Sequence, residues 1–152
     1  MKNNNSSKNL SEPVYTLGVA AKLSNTSVYS LRQYVDKGLV IPYRTKTNRY
    51  LYSEGDIIRL KCIRRYLDEL GLNIAGIRAI FALVPCWLLK PCSEQDRQGC
   101  DGYTAIDRPC WEVNKKGGAC KNEDCRTCKV YLLPEKCKDL KTLFKKLNKQ
   151  EI

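Results

Sequence analysis

The chain has 152 residues, is 43% hydrophobic and carries a net charge of +11, enough for one ordinary domain or two small ones with a real core. It has no histidine, so neither a Ser-His-Asp set nor a histidine general base can operate, and any metal site must be built mainly from sulfur. No run of eighteen apolar residues predicts a membrane span, and the polar, Asn-rich Met1–Ser11 lacks the apolar stretch of a secretory signal.

Residues 1–12 read as a disordered arm. Leu17, Ala20, Ala21 and Leu23 then form a short apolar helical face, broken at Ser24-Asn25, where Asn tolerates the left-handed backbone of a tight turn. Thr26 or Ser27 can cap a second helix, in which Val28, Leu31, Tyr34 and Val35 recur at helical spacing, with Val28 and Leu31 facing inward. Gly38 suits the residue just past its end. Leu39 to Pro42 lead into an extended stretch, residues 44–48 read as a hairpin tip, and Arg49 to Tyr52 as the returning strand. Ser53, with Asp56 three residues on, predicts a capped third helix along Ile57, Leu60, Ile63, Leu67 and Leu70 up to Gly71. Ile74, Ile77, Ile80, Phe81 and Val84 mark a fourth, which Pro85 ends.

These elements predict a mainly α fold. A winged helix-turn-helix domain with a small β-hairpin wing spans residues 13–84. An irregular Cys-rich module follows over 85–131, and residues 132–152 hold a basic amphipathic C-terminal helix. In that helix Leu140, Leu143, Phe144 and Leu147 share one face, which serves either a dimer contact or packing on the chain's own Cys module. The charge is +7 over residues 1–84, +1 over 85–131 and +3 over 132–152. Positive charge on the head suits phosphate neutralisation on double-stranded DNA.

In a winged helix-turn-helix the second helix enters the major groove. Its cap, Thr26 and Ser27, and its side chains Tyr29, Ser30, Arg32 and Gln33 are the candidate DNA-facing set. Gln pairs with adenine, and Arg with guanine or phosphate. In the wing, Arg44, Lys46 and Arg49 suit phosphate or minor-groove contacts. The phenols of Tyr34, Tyr50 and Tyr52 either bond phosphate or pack as core with the hydroxyl at the rim. Arg64 and Arg65 read as a solvated helix face.

Tyr15-Thr16-Leu17-Gly18-Val19-Ala20-Ala21-Lys22, then Leu31-Arg32-Gln33-Tyr34, Gly38-Leu39-Val40, Arg49-Tyr50-Leu51-Tyr52-Ser53 and Asp56-Ile57 resemble the MerR family of transcription regulators over residues 14–84. The chain departs from the family's usual turn residues at Asn25-Thr26 and in the wing at Arg49-Tyr50, which bears on operator sequence. The resemblance implies a homodimer on palindromic promoter DNA, with RNA polymerase as the machinery that responds to distortion of the duplex.

Eight of the nine cysteines lie beyond residue 85, and they form an internal repeat. Cys86-Trp87, Cys92 and Cys100-Asp101-Gly102-Tyr103 make the first copy. Cys110-Trp111, Cys120, Cys125 and Cys128-Lys129-Val130-Tyr131 make the second. Pro precedes each Cys-Trp. Cytoplasmic location is the expectation, and there clustered cysteines are more often metal ligands or redox groups than disulfides. Cys110, Cys120, Cys125 and Cys128 can close one four-sulfur shell around Zn²⁺ or hold an iron–sulfur cluster. Cys86, Cys92 and Cys100 lack a fourth ligand, for which Cys137 is the candidate. Trp87 and Trp111 suit a covering role over the sulfurs, and Cys62 reads as core.

The leading expectation is a DNA-binding transcription regulator whose Cys module senses metal or redox state. The alternative is a regulator whose Cys module is a structural zinc scaffold for dimer or partner contact. A thiol oxidoreductase is the third possibility. Cys125-x-x-Cys128 is its only hint and lacks the βαβ surroundings such enzymes need, so no enzyme is expected.

Overall fold

Four polar side chains start the four helices of the head. Thr16 accepts from the N–H of Val19, Ser27 from Ser30, Ser53 from Asp56 and Asn73 from Gly76, each satisfying a donor that the first helical turn leaves open. The computed structural model describes residues 9–132 and positions 141, 144, 145, 148 and 149. Its elements run β1 (Tyr15–Thr16), α1 (Leu17–Leu23), α2 (Val28–Asp36), β2 (Tyr43–Arg44), β3 (Tyr50–Tyr52), α3 (Glu54–Asp68) and α4 (Ile74–Ala82). The short helices α5 (Cys86–Leu89), α6 (Glu94–Gln98) and α7 (Asp101–Thr104) follow, then single 3-10 turns at Cys110–Glu112 and Cys125–Thr127. Among the described residues no helix is long and apolar enough to cross a membrane.

The expected winged helix-turn-helix is what forms. Asn25, at φ +53°, makes the turn between α1 and α2. The wing is an antiparallel sheet in the order β1-β3-β2, with Tyr15 opposite Tyr52 and Tyr43 opposite Leu51. Strand β1 was not foreseen: two residues show no alternation, and only the returning strand beside them makes them a strand. Leu31, Tyr34, Leu39, Tyr52, Leu60, Ile63, Ile77 and Phe81 form the core. Val28 and Leu70, expected inward, are exposed, because the helix-turn-helix pair and α3 bury narrower faces than their apolar spacing suggests.

The expected arm over residues 1–12 is also corrected at its inner end. Leu10 accepts a hydrogen bond from the N–H of Gly55 at 2.8 Å, and Ser11 accepts one from Arg126 at 3.2 Å. Of the expected C-terminal helix, Lys141, Phe144, Lys145, Asn148 and Lys149 are helical and exposed. Leu132 lies in a turn, and the rest of that segment, with Cys137, lies outside the described residues.

The Cys module does not hang from the head as a separate unit. Asp56, fully buried, closes the expected capping box with Ser53 and accepts a 2.6 Å hydrogen bond from the hydroxyl of Tyr131. That hydroxyl in turn accepts from the N–H of Ile41 at 2.9 Å. Arg126 stands 3.8 Å from the same carboxylate and donates to the carbonyls of Ile41 and Ser11. Arg59 donates to the carbonyl of Tyr131, and its guanidinium sits over the rings of Tyr131, Phe81 and Trp111, 4.1, 4.8 and 4.9 Å from their centroids. Two of its nitrogens have no hydrogen-bond acceptor, so the π faces supply much of what water would otherwise give. Burial and the Asp56 charge raise the Tyr131 pKa well above the ordinary phenol value, which keeps the hydroxyl a donor to Asp56 at any physiological pH.

Tyr131→Phe removes both of these hydroxyl bonds and leaves Asp56 and the Ile41 N–H under-satisfied. The expected loss is about 1–3 kcal/mol, read as a lower urea midpoint with an unchanged slope. An unchanged midpoint would exclude Tyr131 as the anchor of the module.

Candidate nucleic-acid interface and thiol cavity

On α2, Ser27, Tyr29, Arg32 and Gln33 are exposed, Tyr29 to 78%, and Ser30 is half-buried with its hydroxyl bonded to Ser27. On the wing, Arg44, Lys46, Arg49 and Tyr50 are exposed, with the Arg44 guanidinium over the Tyr50 ring. A groove of about 640 Å³ runs between α2, the start of α1 and the wing, lined by Arg32, Arg49 and Tyr50 among others. Arg32 of the helix and Arg49 and Tyr50 of the wing therefore meet in one groove, a combination that suits contacts to a duplex.

Three expected members leave that set. Thr26 is buried, with its hydroxyl bonded to the carbonyl of Ser24 inside the turn. Tyr34 and Tyr52 are core residues. Burial, and then the Asp56 charge, push the Tyr52 hydroxyl far above its usual pKa. The helical and strand spacings that made these residues candidates are the same spacings that turn them inward. Arg64 and Arg65 pair with Asp68 and Glu69 one turn on, as a solvated face would.

The two Cys-Trp copies fold alike. In each, Pro precedes a helical turn that opens on the cysteine, at Cys86 and at Cys110. In each, the tryptophan packs edge-on against the tyrosine that closes its own copy: Trp87 on Tyr103 at 5.2 Å, and Trp111 on Tyr131 at 5.1 Å. The copies differ in where they sit. Tyr103 is exposed, while Tyr131 is fully buried against the head.

Between the copies lies a cavity of about 50 Å³ lined by Cys86, Cys92, Cys100, Cys110, Cys120, Cys125 and Cys128. Thiols of both copies, Cys86 and Cys100 from the first and Cys110 and Cys125 from the second among them, line this one space. Burial raises the Cys110 thiol to about 12, and the next largest influence is Cys86 of the other copy. Burial raises Cys86 to about 11, helped by Cys100 and Cys120. Burial also raises Cys120, against the pull of Lys90. Among the described residues no three such groups stand close enough to share a single ion. The thiols surround a space rather than a point.

Loop residues 117–119 bring the second copy to the first. The N–H groups of Gly118 and Ala119 reach Asp96, whose carboxyl Ser93 first, and these two after it, hold below its ordinary value. A side chain at Gly117 would meet the Asp96 carbonyl at 2.3 Å, so glycine is required by the close approach. At the cavity, Lys116 donates to the Cys125 sulfur at 3.3 Å, and Arg97 is part of the lining. Trp111 and Tyr131 are walls of the cavity, while Trp87 is not.

Both walls reach the loop that follows α2. The Trp111 indole N–H donates to the carbonyl of Gly38 at 2.7 Å, beside the Tyr131–Ile41 and Arg126–Ile41 bonds. Gly38 has φ +74°, and a Cβ there would overlap the Glu112 side chain. It therefore both ends α2 and admits the module. Asp56, legible in the sequence only as the capping partner of Ser53, fastens the module together with Arg59 and Arg126, which no local pattern marks. The only signal in the chain was a charged residue at a helical position that also faces the core.

Residues 15–83 match the sequence profile described as MerR HTH family regulatory protein. The chain is 38% identical over 73 residues to the HTH-type transcriptional regulator GlnR of Bacillus anthracis and of Bacillus cereus, covering 48% of this chain and 56% of theirs. It is 42% identical over 71 residues to the putative heat shock protein HspR of Streptomyces coelicolor, 47% of each chain. The chain thus spans about half the length of these relatives, and the family match ends before Cys86.

The raised thiols carry a pH dependence. In the metal-free, reduced protein the unfolded chain gives up these protons from about pH 9, while folded Cys86 and Cys110 hold theirs to about 11 and 12. The unfolded state then binds fewer protons, so stability falls as pH rises through that window. The urea midpoint is expected to drop between pH 9 and 11, and Cys110→Ser to flatten the drop. A midpoint independent of pH in the unsubstituted chain would show that these thiols are not buried.

Proposed function

Starting from a MerR-family helix-turn-helix domain over residues 15–83, we propose that this chain is a DNA-binding transcription regulator whose thiol cavity is its sensor. One observation carries the reading: two walls of the cavity, Trp111 and Tyr131, hydrogen bond the backbone of the loop between the recognition helix and the wing, at Gly38 and Ile41. A change in what the cavity holds moves those walls, and the loop that orients helix against wing must follow. In a head of this kind the affinity for a bent or untwisted operator depends on that angle, since duplex deformation enters the binding free energy. Binding as a homodimer to two half-sites, with RNA polymerase as the responding machinery, belongs to this reading through the family.

The roles divide by place. Tyr29, Arg32 and Gln33 meet base edges and nearby phosphates, and Arg44, Lys46 and Arg49 meet the backbone from the wing. Arg59, Asp56 and Arg126 bind no DNA. They hold the module against the head so that the cavity and the loop move together. Soft, thiol-binding metals suit a cavity without histidine or a cluster of carboxylates.

Arg32→Ala is expected to weaken operator binding by about 1–3 kcal/mol, and Arg44→Ala to lower the salt slope by about one. Trp111→Phe keeps the ring but loses the bond to Gly38. It is expected to bind DNA with the same affinity whether metal-loaded or metal-free, where the unsubstituted protein differs between the two states. Gel-shift titrations on promoter DNA check all three. Equal affinity of loaded and metal-free unsubstituted protein would sink the sensor reading, and unchanged binding by both arginine variants would sink the DNA-docking reading.

A further inference from the structure

We infer that the cavity between the two Cys-Trp copies holds one polynuclear iron–sulfur centre, with ligands drawn from both copies, rather than a mononuclear zinc in each. The inference rests on the sensor reading above and names the chemistry of its site.

A single zinc ion needs no cavity. Its four sulfurs close to about 2.3 Å from the metal and so touch one another around a point. Here seven thiols line a space of about 50 Å³, several times the roughly 10–15 Å³ that one water requires. Several iron atoms bridged by inorganic sulfide fill a volume of that kind and take thiolates from widely spaced directions. The two copies contribute together: Cys86, Cys92 and Cys100 of the first and Cys110, Cys120 and Cys125 of the second line the same cavity.

The surroundings agree. A cluster held by thiolates is anionic, and the cavity presents Lys116, bonded to Cys125, and Arg97 in its lining. Hydrogen bonds of this kind to the sulfurs tune a cluster's potential. The aromatic faces of Trp111 and Tyr131 close the side toward the head and keep water from it.

The full chain, purified without oxygen, is offered ferrous iron with inorganic sulfide in one sample and Zn²⁺ in another. The expected product of the first holds more than one iron per chain with about as much sulfide, a broad visible band and a reversible reduction. Replacing Cys86 and Cys100 together, or Cys110 and Cys125 together, is expected to abolish the whole band. Retention of half in either would show two independent sites and overturn the inference. Because paired replacements can unfold the module, Lys116→Met supplies a second readout. It leaves every thiol in place and, by removing a cationic donor, is expected to shift the reduction potential downward. An unchanged potential would also count against the inference, and zinc uptake with no iron or sulfide retained would overturn it outright. DNA affinity is measured on the same samples. Protein that holds the cluster and ignores DNA sinks the regulator reading alone, and protein that binds DNA but retains only zinc sinks the cluster alone.

Discussion

Asp56 is the buried charge on which the arrangement turns. It sits at the first turn of α3, where its carboxylate already serves the capping box with Ser53. A buried carboxylate with only that work would be costly, since desolvation of an ion is repaid only by further hydrogen bonds and counter-charge. Tyr131 and Arg126 supply them from the far end of the chain. The head is therefore completed by the Cys module: without residues 126 and 131, Asp56 faces the interior with a single partner. Arg59 adds the reverse case, a buried cation satisfied by a carbonyl and three aromatic faces.

This arrangement gives the repeat two unequal jobs from one plan. Both copies stack a tryptophan on the tyrosine that closes the copy. In the second, that pair is also the docking surface, and its polar atoms are spent on the head: the indole N–H on Gly38, the hydroxyl on Asp56 and Ile41. In the first, the pair stays at the surface. The cavity thus has one wall fixed to the head and one wall that is not. Under the proposed sensor function, a ligand bridging them would tie the outer copy to the wall that reaches the loop after α2, and so could shift a population of head orientations.

Much of the head could be read directly. Caps at Thr16, Ser27, Ser53 and Asn73, the left-handed turn at Asn25 and the stop at Gly38 are local events, decided by side chains that reach a backbone group a few residues away. The exposure of the candidate residues Tyr29, Arg32, Gln33, Arg44, Lys46 and Arg49 followed from helical and hairpin spacing. The misses share one cause. Tyr34, Tyr52, Thr26 and Val28 have a burial that depends on which face a neighbouring element covers, and the strand at Tyr15–Thr16 exists only because β3 runs beside it.

The Cys module divides along the same line. The sequence by itself determined that Pro-Cys-Trp recurs, that sulfur is the soft donor present in quantity, and that each copy closes on a tyrosine. Those properties belong to residue chemistry and short-range spacing. That the thiols of both copies face one cavity, and that Tyr131 and Arg126 anchor it to Asp56 some seventy residues away, was decided only in the tertiary structure. Ion pairing and burial act between residues brought together by the whole fold, and no local pattern records which distant partner a buried charge will find.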